Sequence, residues 1–301
     1  MSRQGAVWLL AAALAGALGG CVTQQAAEAP PVATATPETA PVEEPSPTLP
    51  EPTPEPSPGE VGAAEETGPT PTPEVQAEPP EPRRVEFQSE DGIPLVGVYY
   101  PPASAPAPGV LLLHQNRASK EHWVPLIEAL RAPSMPTYAI FAIDFPGHGE
   151  SGGSLSDAAA LAAARTALSE FRTFDGVDAN RVILIGASFG ADAAVDVCGE
   201  GCIGAVSVSP GGWLGIPYQE ALTALREQQD PPVLCIASQQ DEPSPSTCKG
   251  GETAGLSDYR VHIYDGSAHG NFLFFEETLT PPPPIIDLIV QWLSDHLAGS
   301  G

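Results

Sequence analysis

A serine stands between two glycines at residues 186–190, Gly-Ala-Ser-Phe-Gly. The apolar run Val182–Ile185 comes before it, and small residues that predict the start of a helix follow. A sharp turn from a strand into a helix leaves no room for Cβ atoms at the two glycines, and it presents the hydroxyl of Ser188 outward. The pattern therefore predicts an enzyme nucleophile at Ser188. The alternative is a tight turn in which the serine only caps a helix.

Strands and helices alternate on both sides of this turn. Strands are predicted at Arg84–Gln88, Ile93–Tyr100, Gly109–Leu113, Tyr138–Phe145, Arg181–Ile185, Ile203–Val208, Pro232–Ala237 and Tyr259–Tyr264. Helices are predicted at Glu121–Arg131, Asp157–Phe174, Ala191–Val197, Tyr218–Gln228 and Ile285–His296. The alternation predicts a mostly parallel sheet with helices on both faces, and Asp91-Gly92 predicts a hairpin at its antiparallel edge.

With the serine turn placed after the third buried strand, residues 85–297 resemble the α/β-hydrolase fold. The resemblance implies a mostly parallel, doubly wound sheet with an antiparallel N-terminal hairpin. Residues 144–151, Asp-Phe-Pro-Gly-His-Gly-Glu-Ser, are similar to a turn that this family carries near its site. In the family that turn shapes the fold, so we expect no direct chemical role for it.

The family places its nucleophile, acid and histidine in that order along the chain. Asp241 follows the apolar run Val233–Ala237, and His269 follows the last strand. Both therefore lie at the carboxyl ends of strands, where open α/β sheets bind ligands. The resemblance implies that His269 accepts the proton of Ser188 and that Asp241 orients His269. Glu242 is the alternative acid, because a shift of one residue in the loop would exchange the two.

The resemblance also implies two backbone N–H donors for the oxyanion of a tetrahedral intermediate. Phe189, directly after the nucleophile, supplies one. By position, Asn116 in the loop after the first buried strand supplies the other. Many relatives carry His-Gly in this loop, whereas this chain has His114-Gln115, which resembles the dienelactone-hydrolase-like branch more than lipases. The missing glycine leaves the geometry of this loop open.

Cofactor motifs are a separate question. No group of Asp, His and Cys has metal-ligand spacing, and no glycine-rich loop has the context of a dinucleotide or phosphate site. We therefore expect no cofactor.

The N-terminus predicts a targeting signal. Arg3 is followed by the apolar run Ala6–Leu18, which is too short to span a bilayer comfortably, and then by Gly19-Gly20-Cys21. The pattern resembles a bacterial lipobox, which implies that residues 1–20 are removed and that Cys21 is acylated and held on a membrane outside the cytoplasm. An ordinary secretory signal with a chance cysteine is the alternative.

Residues 21–82 predict a disordered linker rich in Pro, Glu and Thr, with twelve Glu and neither Lys nor Arg. Proline and like charge would extend it as a tether, and a role as a proline-rich ligand is the alternative. Residues 83–301 are the predicted α/β-hydrolase domain, with 26 acidic and 11 basic residues. This balance disfavours nucleic acid and anionic membrane surfaces as partners.

Four cysteines remain after Cys21, an even number that suggests disulfides in a domain outside the cytoplasm. Three pairings are possible. We favour Cys198 with Cys202, which bracket a short loop, and Cys235 with Cys248, which bracket the loop of Asp241. Four buried free thiols are the alternative.

Only about 22 residues separate Val208 from Pro231, too few for a large cap domain. An open cleft suits small or polymer-attached esters, and Trp213 and Phe272 either line it or belong to the core. The predicted function is that of a cap-poor, monomeric serine esterase. A peptidase or amidase of the same fold and a binding protein with an idle site are the alternatives.

Overall fold

The computed structural model describes residues 79–275 and 284–297. The predicted signal peptide, Cys21 and the predicted linker up to residue 78 lie outside the described residues. The first strand begins at Arg83, where the sequence predicts the domain to begin. Within the described ranges, no helix has the length and apolar character needed to cross a membrane.

The described residues form one eight-stranded sheet. Its strands β1 to β8 are, in chain order, Arg83–Gln88, Pro94–Tyr100, Ala107–Leu113, Ala139–Ile143, Val177–Ala187, Cys202–Val208, Val233–Ser238 and Tyr259–Tyr264. Their order across the sheet is β1-β2-β4-β3-β5-β6-β7-β8. β1 and β2 pair antiparallel, β2 and β4 pair antiparallel, and the remaining neighbours are parallel. The carboxyl ends of six strands, β3 to β8, therefore lie at one edge of the sheet.

Helices cover both faces of the sheet. α1 to α6 are Val124–Leu130, Asp157–Phe171, Phe189–Asp196, Tyr218–Gln228, Ser244–Gly251 and Ile285–Leu297, and short 3₁₀ helices occupy Lys120–Trp123, Glu252–Ala254 and Gly270–Phe275. Side chains of β3 alternate between the layers: Leu111 and Leu113 pack with α2, α3 and α4, whereas Val110 and Leu112 pack with α1 and α6. Because both faces are covered there, residues 109–113 of β3 and 182–187 of β5 carry no polar side chain.

Several predicted boundaries are wrong by a few residues. α2 ends at Phe171 because Phe174 leaves the helix to pack on the rings of Tyr99 and Phe141. α3 begins at Phe189, two residues earlier than predicted, because strand passes into helix through the single residue Ser188. The sequence did not predict α5, whose residues Ser-Pro-Ser-Thr-Cys-Lys-Gly-Gly are poor helix formers.

Both disulfides have the pairing favoured from the sequence. Cys198 bonds Cys202, with their Cα atoms 5.1 Å apart, and Cys235 bonds Cys248, with their Cα atoms 5.6 Å apart. The second bridge ties strand β7 to helix α5, and the loop of Asp241 lies between them. This covalent tie supplies a tertiary reason for α5 to form despite its composition.

Candidate active site

The turn at Ser188 has the geometry that its two glycines predict. Ser188 is a non-glycine residue with φ 53° and ψ −122°, a strained conformation that the surrounding packing must enforce. A Cβ atom on Gly186 would overlap the carbonyl oxygen of Gly190, and one on Gly190 would overlap the carbonyl oxygen of Leu113. The backbone of α3 thus lies directly against β5 and β3, and this close approach sets the position of the serine.

Ser188, His269 and Asp241 lie in one hydrogen-bonded chain. Ser188 Oγ is 2.8 Å from His269 Nε2, and His269 Nδ1 is 2.9 Å from both carboxylate oxygens of Asp241. The carboxylate fixes the proton on Nδ1, which donates to Asp241 and leaves Nε2 free to accept from the serine hydroxyl. The arrangement is that of a nucleophile, a base and an orienting acid.

Glu242, the alternative acid, lies elsewhere. It is exposed, and its carboxylate accepts a hydrogen bond from Ser246 Oγ at 3.1 Å within the same segment. The sequence could not separate Asp241 from Glu242, whereas the structure places only Asp241 against His269.

Three polar side chains hold the loop that carries His269. Ser238 Oγ at the end of β7 donates to the carbonyl of Ala268 at 2.7 Å. Ser209 Oγ, directly after β6, accepts from the N–H of Gly270 at 2.9 Å. Gln115, beyond β3, pairs with Asn271. The loop therefore crosses the edge of the sheet with one anchor near the end of each of three strands.

The pairing of Gln115 with Asn271 explains the departure from glycine at residue 115. Gln115 Oε1 accepts from the N–H of Asn271 at 2.6 Å, and Asn271 Oδ1 accepts from the N–H of Gln115 at 3.2 Å. Both side chains are buried. Gln115 thus uses its side chain and its N–H to fix the histidine loop.

The two residues expected to bind an oxyanion border the same cleft as Ser188 and His269. Phe189 is the first residue of α3, a position whose N–H a helix leaves without an internal partner. The carboxamide of Asn116 contacts His148 Nε2 at 3.1 Å, and the N–H of Arg117 donates to the same nitrogen at 3.2 Å. His148 therefore holds the loop of Asn116 in place.

His114 is buried, and burial lowers its pKa to about 4. Its Nδ1 donates to the carbonyl of Gln115 at 2.7 Å, and its Nε2 accepts from the N–H of Phe145 at 2.9 Å. The neutral ring thus joins the loops after β3 and β4. It is a structural group next to the site.

The turn at residues 144–151 is built on a buried carboxylate. Asp144 is fully buried and binds Lys120 Nζ at 2.7 Å, and it accepts from the N–H groups of Lys120 and Glu150 at 2.8 and 2.9 Å. Ser151 Oγ donates to the carbonyl of Asp144 at 2.7 Å. These contacts bring His148 to the loop of Asn116, which is a shaping role of the kind expected from the sequence.

The cleft at the serine has a volume of about 500 Å³. Its lining includes Leu155, Trp213 and Leu214 as well as the charged side chains of Arg117 and Asp157. Trp213 is 41% exposed and lines the cleft, whereas Phe272 is 56% exposed and is not part of the lining. Between β6 and β7 the chain adds only one helix, α4, so no large cap covers the cleft within the described residues.

Fold and site together define a protein with the α/β-hydrolase fold, and the predicted fold class is confirmed. Residues 110–238 match the sequence model of the Alpha/beta hydrolase family. An esterase of Pyrococcus furiosus superposes with a TM-score of 0.58 at 19% identity, over 72% of this chain and 91% of that one. An esterase of Pyrobaculum calidifontis superposes with a TM-score of 0.54 at 17% identity, over 72% and 83%.

A relative by sequence is the uncharacterised protein YfhR of Escherichia coli K12. It is 31% identical over 122 residues, which cover 39% of this chain and 42% of that protein. The chain therefore spans about two fifths of the length of this curated relative.

Sequence reasoning missed the side chains that hold the site. The sequence indicates no role for His148 beyond the turn at residues 144–151, and it does not distinguish Ser209 and Ser238 from other serines. One signal was present for the serines, since each stands at the carboxyl end of an apolar strand, as Ser188 does. Nothing in the sequence linked Gln115 to Asn271, which are 156 residues apart.

The buried imidazole of His114 makes the fold sensitive to acid. Its pKa is lowered from 6.5 to about 4, so its contribution to stability is present above pH 6.5 and is lost as the pH falls toward 4. The shift corresponds to about 3 kcal/mol of the free energy of unfolding. Urea unfolding between pH 7 and pH 4 should show a shallower loss of stability in His114→Gln than in the wild type. An unchanged slope in His114→Gln contradicts the assignment.

Proposed function

We propose that the protein is a serine esterase that hydrolyses carboxylic esters through an acyl-enzyme. The observation that carries this proposal is the chain of hydrogen bonds from Ser188 through His269 to Asp241, beside an open cleft. A serine hydroxyl is a weak nucleophile near neutral pH and needs such a base within reach. The proposal places the chain with the cap-poor, dienelactone-hydrolase-like esterases, and the single helix between β6 and β7 supports this.

In the first half of the reaction, Ser188 Oγ attacks the acyl carbon of the ester while His269 Nε2 takes its proton. The carbonyl oxygen becomes an oxyanion, which the N–H groups of Phe189 and Asn116 would bind. When the tetrahedral intermediate collapses, the C–O bond to the alcohol breaks and the imidazolium of His269 gives its proton to the departing oxygen. Asp241 stabilises that imidazolium and keeps the ring in orientation.

In the second half, water takes the place of the alcohol. His269 accepts a proton from the water as it attacks the acyl-enzyme, and then returns that proton to Ser188 Oγ as the carboxylic acid leaves. The open cleft suits small esters or esters attached to a polymer, which do not need an enclosed tunnel for a long acyl chain. We propose a monomer that acts without a cofactor and does not bind nucleic acid.

We also propose that acylated Cys21 holds the enzyme on a bacterial membrane outside the cytoplasm, with residues 21–82 as a flexible tether. The lipobox pattern Leu18-Gly19-Gly20-Cys21 and the acidic, proline-rich composition that follows support this arrangement. The two disulfides agree with it, because such bonds persist in oxidising compartments.

Ser188→Ala tests the nucleophile. Hydrolysis of p-nitrophenyl acetate should fall by about 10⁴-fold or more, and labelling by a fluorophosphonate probe should disappear. Ser246→Ala removes an exposed serine of α5 and should keep its label. A labelled Ser188→Ala protein would contradict the assignment. A wild-type protein that cleaves dipeptide amides faster than esters would indicate a peptidase, and one that does not react with the probe would indicate a binding protein.

Asp241 and Glu242 give a matched pair of carboxylates in one loop. Asp241→Asn should lower kcat by about 10³- to 10⁴-fold, because the ring of His269 loses the acceptor that fixes its tautomer. Glu242→Gln should leave kcat within a factor of about 3, since among the described residues this side chain is hydrogen-bonded to Ser246 and not to His269. Steady-state kinetics on p-nitrophenyl acetate measure both. Equal losses in the two variants would show that the loop, and not the Asp241 carboxylate, is responsible.

Cys21→Ala tests the anchor. Expressed in a bacterium that processes lipoproteins, the wild type should incorporate labelled palmitate and sediment with membranes, because buried acyl methylenes provide the binding free energy. Cys21→Ala should lose the label and move to the soluble fraction. Val22→Ala keeps the cysteine and should behave as the wild type. A Cys21→Ala chain that still sediments with membranes would refute the lipid anchor.

A further inference from the structure

Asp192 is a buried carboxylate that the proposed acyl transfer does not use. It lies four residues after Ser188 on helix α3, and only 5% of it is exposed. The N–H of Gly211 donates to its Oδ1 at 3.3 Å, and the N–H of Trp213 donates to its Oδ2. The N–H groups of Gly212 and Leu214 also favour its charged form. One loop thus supplies two N–H hydrogen bonds to a single side chain.

Glycines let the loop that surrounds Asp192 approach the carboxylate closely. Its residues 211–215 are Gly-Gly-Trp-Leu-Gly, and Gly212 and Gly215 have φ values of 70° and 71°, which other residues rarely adopt. A Cβ atom on Gly211 would overlap the indole ring of Trp213. The backbone can therefore fold closely around the carboxylate and still carry a large aromatic side chain.

That side chain meets the proposed base. The rings of Trp213 and His269 lie 5.8 Å apart at 88°, an edge-to-face contact. The indole Nε1 donates to the carbonyl of Ser209 at 3.2 Å. Trp213 is therefore held at its backbone N–H by Asp192 and at its indole ring by Ser209. Ser209 Oγ in turn accepts from the N–H of Gly270, the residue after His269. Two connected paths therefore lead from Asp192 to the loop of His269.

Keeping this carboxylate buried costs stability at neutral pH. Burial raises its pKa to about 6, against the hydrogen bonds from the loop. A raised pKa means that its contribution to stability is complete below pH 3.8 and is lost as the pH rises through about 6. Tyr218 of α4 faces the carboxylate, whereas Asp196 further along α3 faces Arg165 of α2. A charge that weakens the fold is consistent with a role in the site.

We propose that Asp192 is a positioning residue for the reaction. Its carboxylate holds residues 211–214 so that Trp213 keeps the imidazole of His269 in the orientation that accepts the proton of Ser188. Protonation of Asp192 weakens the hydrogen bonds from the N–H groups of Gly211 and Trp213 and frees Trp213. This positioning role rests on the proposed function, because it requires His269 to take part in proton transfer. The contact between Asp192 and the loop of Trp213 is independent of that function.

The indole itself reports on the loop without any enzyme assay. Acrylamide quenching of tryptophan fluorescence is measured from pH 8 to pH 4.5 in the full chain carrying His269→Ala, since a protonated imidazole beside an indole would quench it independently. Quenching should rise as the pH falls, with a midpoint near pH 6. Trp8, the fourth tryptophan, is replaced by Phe in every chain that is compared. Adding Asp192→Asn should abolish the transition, and adding Trp213→Phe should remove it, because Trp123 and Trp292 are buried.

A transition that persists in the chain with both His269→Ala and Asp192→Asn would overturn the proposal. So would the absence of any transition in His269→Ala alone, a comparison that needs no variant at Asp192 and therefore stands even when Asp192→Asn does not fold. Circular dichroism at each pH separates a local change at Trp213 from unfolding.

Kinetics test the effect on the reaction. At pH 8, Asp192→Asn should lower kcat for p-nitrophenyl acetate by up to about 100-fold and leave KM within about threefold, because the loss concerns the alignment of His269 and not the binding of ester. Asp196→Asn changes an exposed carboxylate on the same helix and should keep wild-type kcat. Trp213→Phe should reproduce part of the loss.

Wild-type kcat in Asp192→Asn, or equal losses in Asp192→Asn and Asp196→Asn, would overturn the positioning role. The failure of the proposed function is recognised separately, because then the wild type itself would not hydrolyse the ester or react with the probe. The fluorescence titration would in that case still decide whether Asp192 holds the loop of Trp213.

Discussion

Ser188 follows β5 and His269 follows β8, two strands that lie three positions apart in the sheet. The architecture of the cleft depends on the loop that carries His269 across that distance. Neighbouring strands lie about 4.8 Å apart, so the loop after β8 has to cross roughly 14 Å, over β7 and β6, to bring its imidazole to the end of β5. Ordering such a loop opposes folding through lost conformational entropy. Ser238, Ser209 and Gln115 offset this with hydrogen bonds, each contributing about 1 kcal/mol. The position of the His269 imidazole therefore depends on the ends of several strands along the carboxyl edge of the sheet.

The same edge explains why buried polar groups gather in this part of an otherwise apolar interior. His114 joins the loops after β3 and β4, and Asp144 holds the turn that brings in His148. Asp192 does the corresponding work for the loop after β6. Each of these side chains replaces water as the hydrogen-bond partner of backbone N–H or C=O groups that the sheet and helices leave unpaired. Where the backbone changes direction near Ser188, side chains therefore supply its hydrogen-bond partners.

The sequence was sufficient for the fold and for the order of the candidate site, because both depend on local patterns. Apolar runs of strand length alternated with amphipathic helices, and the glycines around Ser188 reported a backbone approach that no other residue permits. It was insufficient where the outcome depends on contacts distant in the chain. Helix α5 forms despite residues of low helix propensity, beside the bridge from Cys235 to Cys248. Asp241 and Glu242 are neighbouring carboxylates in one loop, and the path of that loop is what places Asp241 against His269. Asp192 is a polar residue near the start of a helix, and nothing in the sequence indicates that residues 211–214 fold around it.

Gln115 and Asn271 have a consequence for how this protein should be compared with others. Each of the two side chains accepts a hydrogen bond from the backbone N–H of the other, so each bond depends on one side chain only. A chain with glycine at residue 115 would lose the acceptor for the N–H of residue 271 but would still donate its own N–H to Asn271. The two ties between the loop after β3 and the loop of His269 can therefore be lost one at a time. Chains of this fold are then better compared by reading both positions than by the motif at residues 114–116 alone.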